Sequence, residues 1–404
     1  MIGTGSDRRT ERVPLVQAQT RQTVRLSMAL AGLAATAALA GEARWVPLHL
    51  FLAGAVVLAI SGASQLLTVT WSAAPAPPDR WAATQRWTVA VGAVGVVAAR
   101  RLDAPDATLG LAGAVYLLGL VLLGVLLAAT AARGRKRRFD PAVAAYLGAV
   151  AFGVVGVGLG VRMAIDPSEA ALRSAHLVAN LLGMVGLVVG GTLPYFAATV
   201  GRSRMSVLAT QRRLWFLAGW QVAMLTGATV ALAVDALPAG AGAGALVGYA
   251  TGIGAIVVLL PRPTRRQLQW AGPRLVALWV GAAWWAASVL VAAGAAARGD
   301  PVLSGRWLVV LAIAGYGQIL WGSLAYLLPM LRGGGPELLA EGFAATRSWF
   351  GLAAIEGAGL AIVLDRPAVA GAALAAGTID ATWRGAQVGT RQATRPRPPR
   401  GGLS

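Results

Sequence analysis

Residues 108–131 read TLGLAGAVYLLGLVLLGVLLAATA, and Ala132-Arg133-Gly134-Arg135-Lys136-Arg137-Arg138 follows at once. The first part carries no charge, and the second is a dense basic run. A transmembrane helix needs about 20 mainly apolar residues, and Lys and Arg gather at its cytoplasmic end. This one stretch therefore predicts a membrane span and its direction. The whole chain has the same character. Of its 404 residues 57% are hydrophobic and 13% charged, and its mean hydropathy is +0.65. A soluble domain carries about 45–50% apolar and about 25% charged residues, so there is too little polar surface here to coat a water-soluble body.

Working outward from residues 108–131, similar runs occur at 26–43, 47–71, 84–100, 142–162, 174–200, 213–234, 240–261, 274–297, 305–330, 344–364 and 367–383. The expected fold is all-α, a polytopic membrane helix bundle of twelve transmembrane helices. It divides into a polar cytoplasmic N-terminal segment at 1–25, a membrane domain at 26–384 and a disordered Arg/Pro-rich cytoplasmic tail at 385–404. With the N-terminus inside and twelve alternating spans, 27 of the 35 basic residues face the cytoplasm. Only Arg44, Arg100, Arg101, Arg162, Arg173, Arg298, Arg306 and Arg366 stay outside. Losing or adding one span would invert this asymmetry downstream, so it predicts an even count with both termini cytoplasmic, in the cell membrane. The net charge of +19 then reads as topology, and a nucleic-acid partner is not expected. The lipid bilayer is the expected surrounding.

The chain has no cysteine, which removes thiolate zinc sites, iron–sulfur clusters and cysteine nucleophiles. Its two histidines, His49 and His176, each fall just inside the outer end of an inward-running span, at one membrane level. Asn180 and Gly183 follow His176 at helical spacing and share its face. Two imidazoles at one depth can ligate one haem iron axially, or hold a copper ion with a third group. As structural residues, each would hydrogen-bond a carbonyl. Glu356 lies mid-span, where ionisable groups are candidates for proton handling; a neutral acid bonded to a neighbouring helix is the structural alternative. Asp380 is expected to reach the headgroups. Gln65, Gln221 and Gln318 read as interhelical hydrogen-bonding amides, and Trp284-Trp285 and the Gly156-x-x-x-Gly160 pair as packing. No nucleophile–base–orienter set, HExxH or phosphate loop occurs, so no catalytic residue is assigned.

Three stretches together carry a family resemblance. The first is His49-Leu50-Phe51-Leu52-Ala53-Gly54-Ala55-Val56. The second runs from His176 through Asn180, Gly183, Gly190-Gly191-Thr192-Leu193-Pro194 to Gly201-Arg202-Ser203-Arg204-Met205. The third runs from Gly317-Gln318 through Gly322, Tyr326 and Pro329 to Gly333-Gly334-Gly335-Pro336. They resemble the membrane domain of actinobacterial and archaeal copper-oxidase or nitrite-reductase-like fusion proteins. That domain is similar to the NnrS family and, more remotely, to subunit I of the haem-copper oxidases. The chain departs from that pattern where Leu66 and Val178 stand in place of histidines, and no histidine lies in spans seven and ten. Two histidines cannot build a haem–haem–copper centre, so oxygen reduction at such a centre is excluded.

The resemblance implies a ligand-depleted accessory or electron-transfer subunit. It would hold haem b or copper near the outer face through His49 and His176, with Asn180 beside them, and work with a separately encoded outer-face copper enzyme. Two other readings stay open: a proton-coupled small-solute transporter built on Glu356, and a cofactor-free membrane scaffold.

Overall fold

In the computed structural model, residues 7–166, 172–234, 236–333 and 335–390 are described. Every element among them is a helix. In chain order these are α1 (Asp7–Leu39), α2 (Trp45–Ser72), α3 (Asp79–Arg101), α4 (Asp106–Ala132), α5 (Asp140–Ile165), α6 (Arg173–Val200) and α7 (Gln211–Ala233). They continue with α8 (Ala239–Leu259), α9 (Arg265–Ala271), α10 (Pro273–Ala297), α11 (Gly305–Arg332), α12 (Pro336–Ala345), α13 (Trp349–Val363) and α14 (Pro367–Thr390). Eight of them, α2, α4 to α8, α10 and α11, are long and apolar enough to cross a membrane. The chain is an all-helical, multi-pass membrane protein.

The other four stretches read as spans are helical too, as α1, α3, α13 and α14, but each departs from a plain apolar span. Arg21 and Arg25 lie within α1, Arg80 and Arg86 within α3, and Asp380 and Arg384 within α14; α13 has only 15 residues. α1 begins at Asp7, inside the polar N-terminal segment, and buries Val16, Gln19, Thr20 and Thr23. At the other end α14 runs on to Thr390, so residues 385–390 of the assigned tail are helical, while 391–404 lie outside the described residues.

Helix ends follow local chemistry. Thr264 caps α9 with a reciprocal box to Gln267, and Ser348 and Thr210 cap α13 and α7 through their hydroxyls, satisfying amides that lack intrahelical partners. Gly333, at φ +73°, ends α11 in a conformation that L side chains rarely adopt.

α2, α6 and α11 share an unusual build. Each has 28 residues, and each opens as a short α-helix, passes through a π-helical stretch, and returns to α. The π stretches are Leu50–Val56, Val178–Val185 and Leu311–Gly317. Three other long helices separate each from the next, so every fourth long helix carries the feature.

By contact the chain forms two units. The first comprises Met1–Pro194, Val207–Ile256 and Val289–Leu303; the second comprises Tyr195–Ser206, Val257–Ser288 and Ser304–Ser404. In the first unit α3 and α4 close tightly on glycine. A Cβ on Gly92 would stand 2.5 Å from the Tyr116 backbone, and one on Gly119 2.9 Å from the Val89 nitrogen. A polar seam runs beside this contact: fully buried Gln85 donates to Ser61 Oγ and to the Gly119 carbonyl, and Gln65 donates to Gln85. Gln65 thus makes the interhelical bond expected of it. In the second unit α13 packs on α11 where Gly359 meets Ala314.

Candidate functional site

His49 is the fifth residue of α2. Its Nδ1 lies 2.9 Å from the Trp45 carbonyl one turn back, and the Trp45 ring stacks on the imidazole at 4.0 Å. His176 is the fourth residue of α6, and its Nδ1 lies 2.7 Å from the Gly156 carbonyl of α5. A carbonyl oxygen only accepts, so in both rings Nδ1 carries the proton and Nε2 keeps its lone pair. Neither Nε2 has a hydrogen-bond partner among the described residues. Both rings are half-buried.

This is the carbonyl hydrogen bond expected of structural histidines, made by one nitrogen only. It is also how proteins hold ligating histidines, with one nitrogen anchored to a carbonyl and the other free for the metal.

The seat of His176 is built by α5. A Cβ on Gly160 would stand 2.8 Å from the imidazole Cε1, and one on Gly156 2.3 Å from Asn180 Nδ2. A third contact of this kind sets Gly183 against Phe152. His176, Asn180 and Gly183 therefore do share one face, the face turned to α5. Asn180 Nδ2 donates to the His176 carbonyl at 2.9 Å; its 3.3 Å approach to Nδ1 is the longer contact. The Gly156–Gly160 pair is thus more than helix packing. The sequence signal was there: a glycine pair spaced by four faces a His–Asn pair spaced by four, on consecutive spans.

The π-helical stretch begins directly after His49 and two residues after His176. Wider turns free backbone carbonyls, which must find donors away from water. Tyr116 of α4 donates to the Ala53 carbonyl at 2.7 Å, joined by Ser27 to Ala55, and Tyr249 of α8 donates to Leu182 at 2.9 Å. Each histidine-bearing helix end is held open by a tyrosine from a neighbour. Hydrophobic periodicity gave no sign of either tyrosine's role.

Glu356 lies elsewhere, in the second unit. Its Oε2 accepts from Trp284 Nε1 at 2.9 Å, while Oε1 is buried with no partner. Trp284 is therefore a hydrogen-bonding residue as well as a packing one. Gln318 is fully buried, and neither atom of its amide has a partner, so it lacks the interhelical bond expected of it. Gln221 likewise leaves its Nε2 buried and unbonded. Asp380 pairs with Arg384 at 2.8 Å one turn on, in place of free access to headgroups.

Neither the protein-family models nor the curated proteins compared with this chain match it. Among the described residues no cluster of three or more His, Cys, Asp or Glu forms. Each of the two imidazoles keeps one nitrogen free of hydrogen bonds among the described residues.

Proposed function

We propose that the chain is a twelve-span protein of the cell membrane, with both termini cytoplasmic. In this reading it is related to the membrane domains of copper-oxidase and nitrite-reductase-like fusions, and serves as an accessory or electron-transfer subunit that holds one haem b between His49 and His176. The observation that carries this is the paired imidazole geometry: both Nδ1 atoms committed to carbonyls, both Nε2 atoms free, both rings at the same end of helices of one build. His49 and His176 would hold the haem iron through their Nε2 atoms. Two imidazoles alone suit a haem iron, whereas copper would need a further ligand beside them. When bound, the haem supplies one-electron transfer. The chain's own work is to fix both tautomers, to keep the His176 ring seated against Gly156 and Gly160, and to hold both helix ends in their π form through Tyr116 and Tyr249. The twelve-span count rests on the twelve apolar runs and on the 27-to-8 split of the basic residues. The partner implied is an outer-face copper enzyme that exchanges electrons with the haem.

The test is an absorption spectrum with metal analysis on protein purified from haem-replete cells. The account expects a low-spin Soret band and near-stoichiometric iron. Protein free of both haem and copper would leave the scaffold reading in front.

One observation favours a second reading. Gly359, one turn beyond Glu356, packs on Ala314, one turn before Gln318, so the unpaired carboxylate oxygen and the unpaired amide share a level in the second unit. A protonatable carboxylate level with a buried amide suits a proton-coupled transporter. Proton-driven uptake of a solute into liposomes, lost in Glu356→Gln, would establish it; uptake unaffected by that change would remove it.

A further inference from the structure

The second unit holds a cluster of three arginines, Arg202, Arg274 and Arg347. Arg274, the second residue of α10, is 1% exposed. Its Nε and Nη2 donate to the Ala271 and Trp270 carbonyls, each at 3.2 Å, while Nη1 is buried with no partner. The indole Nε1 of Trp270 is also buried and unbonded. Around them stand two exposed arginines. Arg202 lies over the Trp270 ring, its Cζ 3.4 Å from the centroid. Arg347 lies across Gly272, where a Cβ would meet its Nε at 2.8 Å. Both are within electrostatic reach of Arg274. Phe343 and Tyr326 close one side, their rings 5.2 Å apart, with Phe343 5.5 Å from Trp270 and 5.3 Å from the Arg274 guanidinium. Among the described residues none of the three arginines has a carboxylate within ion-pair distance.

Three like charges repel, and a buried guanidinium with nothing opposite it is strongly unfavourable. Backbone carbonyls and an aromatic face relieve only part of that. What this cluster lacks is an acceptor with several oxygens, able to take Arg274 Nη1 and the Trp270 indole inside and two more guanidiniums at the rim. We propose that Arg202, Trp270, Arg274 and Arg347 form a binding site for a phosphate group, with Phe343 and Tyr326 as its apolar wall. Guanidinium forks match phosphate oxygens in geometry and charge. Arg274 is the preorganised anchor, and Arg202 and Arg347 close on the anion from the exposed side. The cluster gathers the end of α6, the start of α10 and the segment after α12, which the arginine distribution assigns to the cytoplasmic side. There the phosphate can belong to an anionic lipid headgroup, as basic pockets between membrane helices suggest, or to a free phosphate compound.

The experiment separates these sources. Full-length protein is placed in phosphatidylcholine nanodiscs, in the same discs with added inorganic phosphate against chloride at equal ionic strength, and in discs containing phosphatidylglycerol. Thermal midpoints are compared for wild type and the Arg202→Gln/Arg347→Gln double variant, whose changes are exposed and leave the buried Arg274 in place. The site predicts a midpoint raised by several degrees in wild type and by less than half as much in the variant. A rise with phosphatidylglycerol alone identifies a lipid headgroup; a rise with inorganic phosphate identifies a free phosphate ligand. No rise in wild type under either condition, or equal rises in both proteins, overturns the proposal.

Discussion

Gly160 shows how one missing side chain makes room for chemistry. The His176 ring occupies the space a Cβ would take, and an imidazole held by a 2.7 Å bond to Gly156 cannot swing aside like the end of a flexible chain. Gly160→Ala should therefore destabilise the protein by about 1–3 kcal/mol through overpacking and loosen any group bound at His176. Gly158 is the internal control, since a Cβ there meets nothing within 4 Å. Gly158→Ala should be neutral or slightly stabilising, because alanine is the better helix former. Thermal midpoints in detergent check both; equal midpoints for the two variants would mean that the ring is not seated as described. The two histidines were legible as candidates, because histidine in an apolar span is rare enough to stand out. Their seat was not, since a glycine pair spaced by four serves close helix packing equally well.

At the scale of the element, the π-helical stretches of α2 and α6 depend on donors from other helices. Tyr249 is fully buried and donates to the Leu182 carbonyl within the π stretch. Tyr249→Phe keeps the ring and removes the donor, leaving a buried carbonyl unpaired at about 1–3 kcal/mol. Faster amide exchange confined to residues 178–185 would follow, whereas unchanged exchange there would mean that the π form does not need the hydroxyl. Hydropathy located these helices because their apolar runs are long, and the observed limits of α2, α4, α5 and α6 lie close to the stretches read from sequence. It did not reveal the π turns. They depend on contacts between residues far apart in the chain, such as Tyr116 with Ala53, and leave no period in the local sequence. That the helix reaches back through the polar N-terminal segment was not visible in hydropathy for a related reason. Its buried residues, Gln19, Thr20 and Thr23, are polar and carry no apolar signal.

For the whole molecule, the proposed topology sets Gly134, after α4, and Ala241, near the start of α8, on opposite sides of the membrane. Single cysteines there, in a chain that has none of its own, should label from opposite faces; labelling from one face would refute the span count between them. The central claim is that His49 and His176 hold a single cofactor in common. The most direct measurement of it is the haem iron bound per chain in wild type, His49→Ala and His176→Ala, purified side by side. The account predicts about one iron per wild-type chain, and loss of the low-spin spectrum and of nearly all the iron in either single variant. Full retention of low-spin haem in either variant would contradict it.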